Sequence, residues 1–236
     1  IGKRHLQNAM REVADKPMRP GRPVQFSVLR VPFFLEPDYE TSEGFEETNR
    51  QRLIRKWGGE AGFEAQKHRH QLKERGQEVG IEHFNLDRIA SNTLASHRLV
   101  RGGTKTKGIT AAEALYNALN DRHFELGQKL NDRAMLAEAA SKVGVPEEES
   151  LAFLSTDEGV AEIRAAQQML RQLGVSGIPT FVLGATTVLP SGALRSQYLV
   201  EAFRELEEAS EEGAPKSVFA EALGVPLEVL AEPLAL

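Results

Sequence analysis

The sequence predicts an α/β domain interrupted by a large all-helical insertion. Residues 1–13 have helical spacing and lead into a β-branched, aromatic string. A second such string stands near residue 180, and the stretch between is polar and helical in periodicity. The 236 residues are 41% hydrophobic and 27% charged, which excludes disordered and collagen-like chains.

Ile1, Leu6, Ala9, Met10 and Val13 share one helix face with no capping residue ahead of them, so the chain starts inside a helix. Processing or truncation of a preceding segment is the expectation. Pro17, Pro20, Gly21 and Pro23 end that helix, and residues 24–31 read as a strand closed by Pro32 and Pro37. Residues 46–57 and 60–79 are helical by propensity and stop at Gly58-Gly59 and Gly80. Ser91 or Asn92 caps the next helix, and Thr110 with Glu113 forms a capping box ahead of Leu115, Tyr116 and Leu119. Asn131 or Asp132 opens another helix, Pro146 starts a short one, and Ser155 with Glu158 gives a second box before Val160 and Ile163. Gly174 stands where a C-terminal glycine belongs. Residues 175–184 return to strand chemistry and pair antiparallel with residues 186–189 across a tight turn. Residues 197–208 form the last helix, with Tyr198, Leu199, Ala202, Phe203 and Leu206 in one stripe. The expected domain boundaries are 1–38 and 174–208 for the α/β domain, 39–173 for the insertion, and 209–236 for a linker and tail.

A formal charge of −5 offers no positive field for a polyphosphate, so nucleic acid is not an expected partner. There is no cysteine, which excludes a thiolate nucleophile and a cysteine-ligated metal within these residues. No apolar run reaches the roughly 18 residues of a membrane span, and no signal-peptide pattern opens the chain. The expectation is a cytoplasmic protein without a membrane partner. His68 and His70, two apart on a helix, point to different sides and hold no metal. Gly102-Gly103-Thr104-Lys105 lacks the spacing of a phosphate loop and reads as an ordinary loop. The acidic run at residues 205–212 reads as a solvated helix end.

Several strings carry a resemblance. Gly174-Val175-Ser176-Gly177-Ile178-Pro179-Thr180-Phe181-Val182 matches a G-V-x-G-[VI]-P-x-F-V element. Ser191-Gly192-Ala193, Asn92-Thr93 with His97-Arg98-Leu99, and Phe33 with Pro37-Asp38 support it, and Ile1-Gly2-Lys3-Arg4 matches the residues just after C-P-W-C-x in the same proteins. On these residues the chain resembles the DsbA-like branch of the thioredoxin superfamily, in particular the FrnE-like proteins grouped with 2-hydroxychromene-2-carboxylate isomerases. The resemblance covers about residues 1–208. It implies a thioredoxin-like fold with a helical insertion, from which the family's first strand and its C-P-W-C are missing.

The resemblance also implies an oxidoreductase of thiol–disulfide exchange, inactive as given because no catalytic residue lies in this chain. Its substrate-binding residues would be Gly177, Ile178 and Pro179, with Pro179 in cis, and Asn92 as a contact to substrate or glutathione. By residue type alone Asn92 is a helix cap, His97 a packed histidine, and Trp57 and Tyr116 core or groove wall. Lys3 and Arg4 either add to the field at the first helix or are solvated. The partner would be a protein disulfide or a small thiol, with no cofactor beyond glutathione as substrate or ligand. The rivals are a glutathione-dependent isomerase or transferase of the same fold, and a redox-dead protein whose groove beside the Ile178 loop binds a peptide or thiol. Loss of a central strand would leave neighbouring backbone groups unpaired at about 1–3 kcal/mol each if buried, so the expectation is a fragment of a longer product or an unstable fold.

Overall fold

The structure is a computed structural model that describes residues 1–209 and 217–236. In chain order its elements begin with α1 (Gly2–Asp15), β1 (Glu47–Thr48), α2 (Asn49–Lys56), α3 (Glu60–His70), α4 (Leu72–Gln77), β2 (Ile89–Ala90) and α5 (Leu94–Asn120). They continue with α6 (Arg133–Ser141), α7 (Glu147–Leu154), α8 (Val160–Gln172), β3 (Val182–Leu183), β4 (Thr187–Val188), α9 (Ser196–Ala209), α10 (Val218–Ala222) and α11 (Leu227–Ala231). Two compact units emerge: Ile1–Phe33, Arg101–Glu113 and Ala161–Leu236 form the first, Phe34–Val100 and Ala114–Val160 the second. The expected boundaries differ, because α8 and the middle of α5 fall with the first unit.

In the first unit, α1 buries the stripe read from its spacing, Leu6, Ala9, Met10 and Val13, and packs on α9, which turns Leu199 and Phe203 inward. Ala166 and Leu170 of α8 join the same core. β3 and β4 pair antiparallel, with Val182 opposite Val188 and Leu183 opposite Thr187. The strand expected at residues 24–31 is not formed. Among the described residues, the one backbone–backbone hydrogen bond found for residues 24–29 runs from Leu234 N–H to Phe26 O at 2.7 Å. Val24, Phe26, Val28, Leu29 and Val31 lie against the core but are only partly buried. Strand propensity measures fit to a paired surface, and among the described residues no neighbouring strand supplies one.

The tail, to which the sequence assigns no structure, is helical in part. Residues 217–236 form two short helices, opened by Ser217, whose Oγ accepts the Phe219 N–H. They bury Phe219, Ala220, Leu223, Val225, Leu230 and Leu234 in the first unit's core. Of the linker and tail expected over residues 209–236, residues 210–216 lie outside the described residues. α5 runs through residues 102–105, expected as a loop, and breaks its helical dihedrals at Gly108, whose φ is 85°. The capping box at Thr110 and Glu113 does not form. Thr110 Oγ1 accepts the Ala235 N–H, and Glu113 is taken by two cations.

In the second unit, Leu99, Val100, Leu115, Leu119, Met135, Leu136 and Leu154 make the core, with α6 packed on α7. Asp132 caps α6 through the Met135 N–H, as its residue type predicts. The helix expected over 60–79 is broken at Gln71, which is left-handed with φ 44°. The helix expected over 46–57 opens later, at Asn49, where Thr48 and Gln51 form a reciprocal capping box. Thr156, not Ser155, holds the Glu158 N–H ahead of α8.

Candidate functional site

The loop that joins α8 to β3 begins at Gly174, whose φ of 71° ends the helix, and Val175 then anchors it in the core. Gly177, Ile178 and Pro179 come next, and the Ile178–Pro179 peptide bond is cis. Two neighbours fix this loop. Thr180 Oγ1 donates to Gly177 O at 2.7 Å and lies 2.6 Å from Ser191 Oγ, while Gly192 N–H donates to Pro179 O at 2.8 Å. Ile178 is left 49% exposed, a large apolar side chain presented outward.

The first turn of α1 closes on this loop. A Cβ on Gly2 would stand 2.7 Å from Pro179 Cγ and 3.4 Å from Ala193 Cα, so glycine is what permits the approach. Gly2→Ala is therefore expected to destabilise the first unit by about 1–3 kcal/mol by overpacking, although alanine ordinarily stabilises a helix relative to glycine. A melt of the variant no lower than that of the parent chain would contradict this packing.

Close to the same helix start, Lys3 and Arg30 converge on Glu113. Arg30 Nε and Nη2 grip the carboxylate at 2.7 and 2.6 Å, and Lys3 Nζ lies 3.1 Å from Oε1. Burial pushes the Glu113 carboxyl up, but the Arg30 hydrogen bonds and charge, with Lys3, outweigh it and hold it below its ordinary value. Lys3 moves down, because burial of the second cation exceeds what Glu113, already gripped by Arg30, returns to it. Lys3 is thus neither solvated nor an isolated field charge, whereas Arg4 is exposed. Nothing in the local sequence marks Glu113 for this role.

Asn92 lies in the second unit, one residue ahead of Thr93; Thr93, and not Ser91 or Asn92, is the N-cap of α5. Its Oδ1 accepts the Leu94 N–H at 2.8 Å, its Nδ2 donates to Tyr39 O at 2.6 Å, and it is buried. His97 meets the Phe34 ring edge-on at 5.3 Å, Trp57 stacks on Phe63 and His70, and Tyr116 packs on the second unit's core. Each takes the packing role. A cluster missed by sequence reasoning joins Tyr39 and Arg55 to Glu47. Burial and Glu47 push the Tyr39 hydroxyl up to about 12, so it stays protonated near neutrality. Among the described residues no group of three His, Asp or Glu is arranged to hold a metal ion, and no helix is long and apolar enough to cross a membrane.

This fold has a counterpart among known proteins. A profile of the DSBA-like thioredoxin domain matches residues 5–204. No curated protein matches. A probable DsbA oxidoreductase from Streptomyces coelicolor superimposes with a TM-score of 0.72 at 25% identity, over 90% of this chain and 85% of that one.

Proposed function

Because the chain belongs to the DSBA-like thioredoxin domain family and has that fold with a helical insertion, we propose that it serves thiol–disulfide exchange. In this reading it is of the FrnE-like branch and cytoplasmic. The observation that carries the reading is the contact of the α1 first turn with Pro179, beside the exposed Ile178. A thiolate set just ahead of Ile1 would stand at the positive end of α1, where the helix dipole favours the anion. Gly177, Ile178 and Pro179 would offer a wall against which an extended disulfide substrate lies.

The exchange balances in two steps. The first thiolate of a cysteine pair attacks one substrate sulfur, forming a mixed disulfide and releasing the other sulfur as a thiolate. The second cysteine then attacks the mixed disulfide, so the pair is oxidised by two electrons and the substrate disulfide is reduced to two thiols. These 236 residues contain no cysteine and supply no thiolate. Their part is binding and orientation, and no metal or organic cofactor enters the step.

Two chains test the reading by insulin-disulfide reduction with dithiothreitol. The 236-residue chain is expected to give no rate above background, and the same chain preceded by a strand and C-P-W-C-x is expected to accelerate the reaction. An inert extended chain that still binds an insulin-derived disulfide peptide would support the redox-dead binding reading, which the missing cysteines favour. Saturable binding of reduced glutathione without insulin reduction would instead support the glutathione-dependent rival.

A further inference from the structure

In the second unit, we propose that Arg88 and His123 form an acid-released clasp, which fastens residues 85–90 to residues 121–128 and opens when the His123 ring takes a second proton. The hydrogen bonds assign the ring's state. Arg88 Nε donates to His123 Nε2 at 3.2 Å, and a guanidinium only donates, so Nε2 holds its lone pair. Nδ1 lies 2.9 Å from Gln128 O, and a carbonyl only accepts, so Nδ1 carries the proton. The neutral ring satisfies both neighbours at once. The doubly protonated ring cannot.

The rest of the clasp is backbone. Asn85 N–H donates to Phe124 O at 2.7 Å and Ile89 N–H donates to Gly127 O at 3.0 Å. Gly127 has φ 79°, and a Cβ there would stand 2.6 Å from Asn85 Nδ2, so the two segments approach closely only through glycine. From the other side, Asn49 N–H and Nδ2 hold Arg88 O and Leu86 O at 2.9 and 3.0 Å. Ile89 also pairs with Thr48 in the β1–β2 ladder. Residues 121–125 form a π-helical turn, an uncommon conformation held here by its tertiary contacts.

Charge makes the clasp sensitive to protonation. The Arg88 guanidinium lies 4.9 Å from the Phe124 centroid and 5.8 Å from that of Phe84, and its Nη1 donates to Asn85 O. Among the described residues no carboxylate hydrogen-bonds to Arg88 or His123. The charged groups acting on the ring are Arg88 and Arg52, both cations, and Arg52 is already tied to Glu36. Arg122, on the same turn, is paired with Glu138, while Asp87 and Asp121 are exposed. Burial first, then Arg88, pushes His123 down to about 4. An unfolded histidine titrates near about 6.5. Between these values the open segment binds a proton that the closed clasp refuses, so closure is fully favoured above about pH 6.5 and weakens as the pH falls toward 4. A proton on Nε2 sets one N–H donor against another and the imidazolium against the Arg88 guanidinium.

The test is amide hydrogen exchange at Asn85 and Ile89 in the full chain, from about pH 7 to about pH 4, with the His123 ring followed by NMR. The expected result is a ring that titrates near pH 4 and a loss of protection at both amides of about tenfold or more as it does so. H123Q keeps one acceptor and one donor at this place and is expected to hold protection constant across the range. A ring titrating near its free value, or protection that does not follow the ring, would overturn the clasp. The wild-type titration gives this answer even if the variant does not fold. Parallel loss of protection in parent and H123Q would overturn it equally.

Discussion

E113Q is expected to lower the stability of the first unit by about 3–5 kcal/mol, because it removes the buried carboxylate that Arg30 and Lys3 both hold. At about 2–4 °C per kcal/mol for a chain of this size, the loss is visible in a simple thermal melt. The side chains of Glu113, Lys3 and Arg30 are 7%, 16% and 19% exposed, so water does little to replace the lost charge. The glutamine oxygen still accepts from Arg30, but its amide group turns donors toward cations. Adding K3M removes one of the two cations that Glu113 holds and is expected to restore part of the loss. The pH dependence has a definite sign. The folded carboxyl titrates below its unfolded value, so its contribution is complete above about pH 4.3 and disappears as the pH falls through the folded value. E113Q lacks this acid-sensitive component. A variant that melts with the parent chain would show that the triad contributes nothing net.

R98M is expected to cost the second unit about 2–4 kcal/mol, by removing the charged hydrogen bonds that the buried Arg98 gives to four carbonyls. Arg98 Nε donates to Glu158 O at 2.7 Å, and Nη2 donates to Phe153 O and Thr156 O at 3.0 and 2.5 Å, with Leu154 O at 3.4 Å from Nη1. These carbonyls lie at and beyond the end of α7, and Phe153 O is shared with the Thr156 N–H and Oγ1. The guanidinium also lies 5.1 Å from the Phe153 ring centroid. Methionine keeps much of the stem's apolar volume, so the difference reports the head group. R98K is expected to recover little, since one ammonium cannot span the same fork of acceptors. Exchange protection near residue 155 is the local readout. Unchanged protection and an unchanged melt in R98M would show that the carbonyls find other donors.

Sequence patterns were most informative where structure is local and repetitive. The apolar stripe of α1, the Asp132 cap and the turn at Gly174 each follow from residue type and spacing within one or two turns. The Gly177–Pro179 loop was legible for a different reason, as a string shared with a family. Long-range contacts overrode other signals. Thr110 and Glu113 have the spacing of a capping box, but Ala235 and Arg30 take their polar atoms from far along the chain. Gly102 and Gly103 sit inside a helix that tertiary packing stabilises against their propensity. Residues 24–31 carry strand residues, but among the described residues no strand pairs with them. The approach of Gly2 to Pro179 joins positions that no pattern connects.

The discontinuity of the first unit sets an order of events during translation. Phe34–Val100 and Ala114–Val160 leave the ribosome together and complete the second unit while the chain is still growing. α1 is made before the second unit, yet its apolar stripe shares a core with Leu223, Leu230 and Leu234, which are made after it. At about 5–20 residues per second, that face waits about 10–40 s for its final partners. For that interval the stripe lacks part of the apolar cover that closes it in the finished fold.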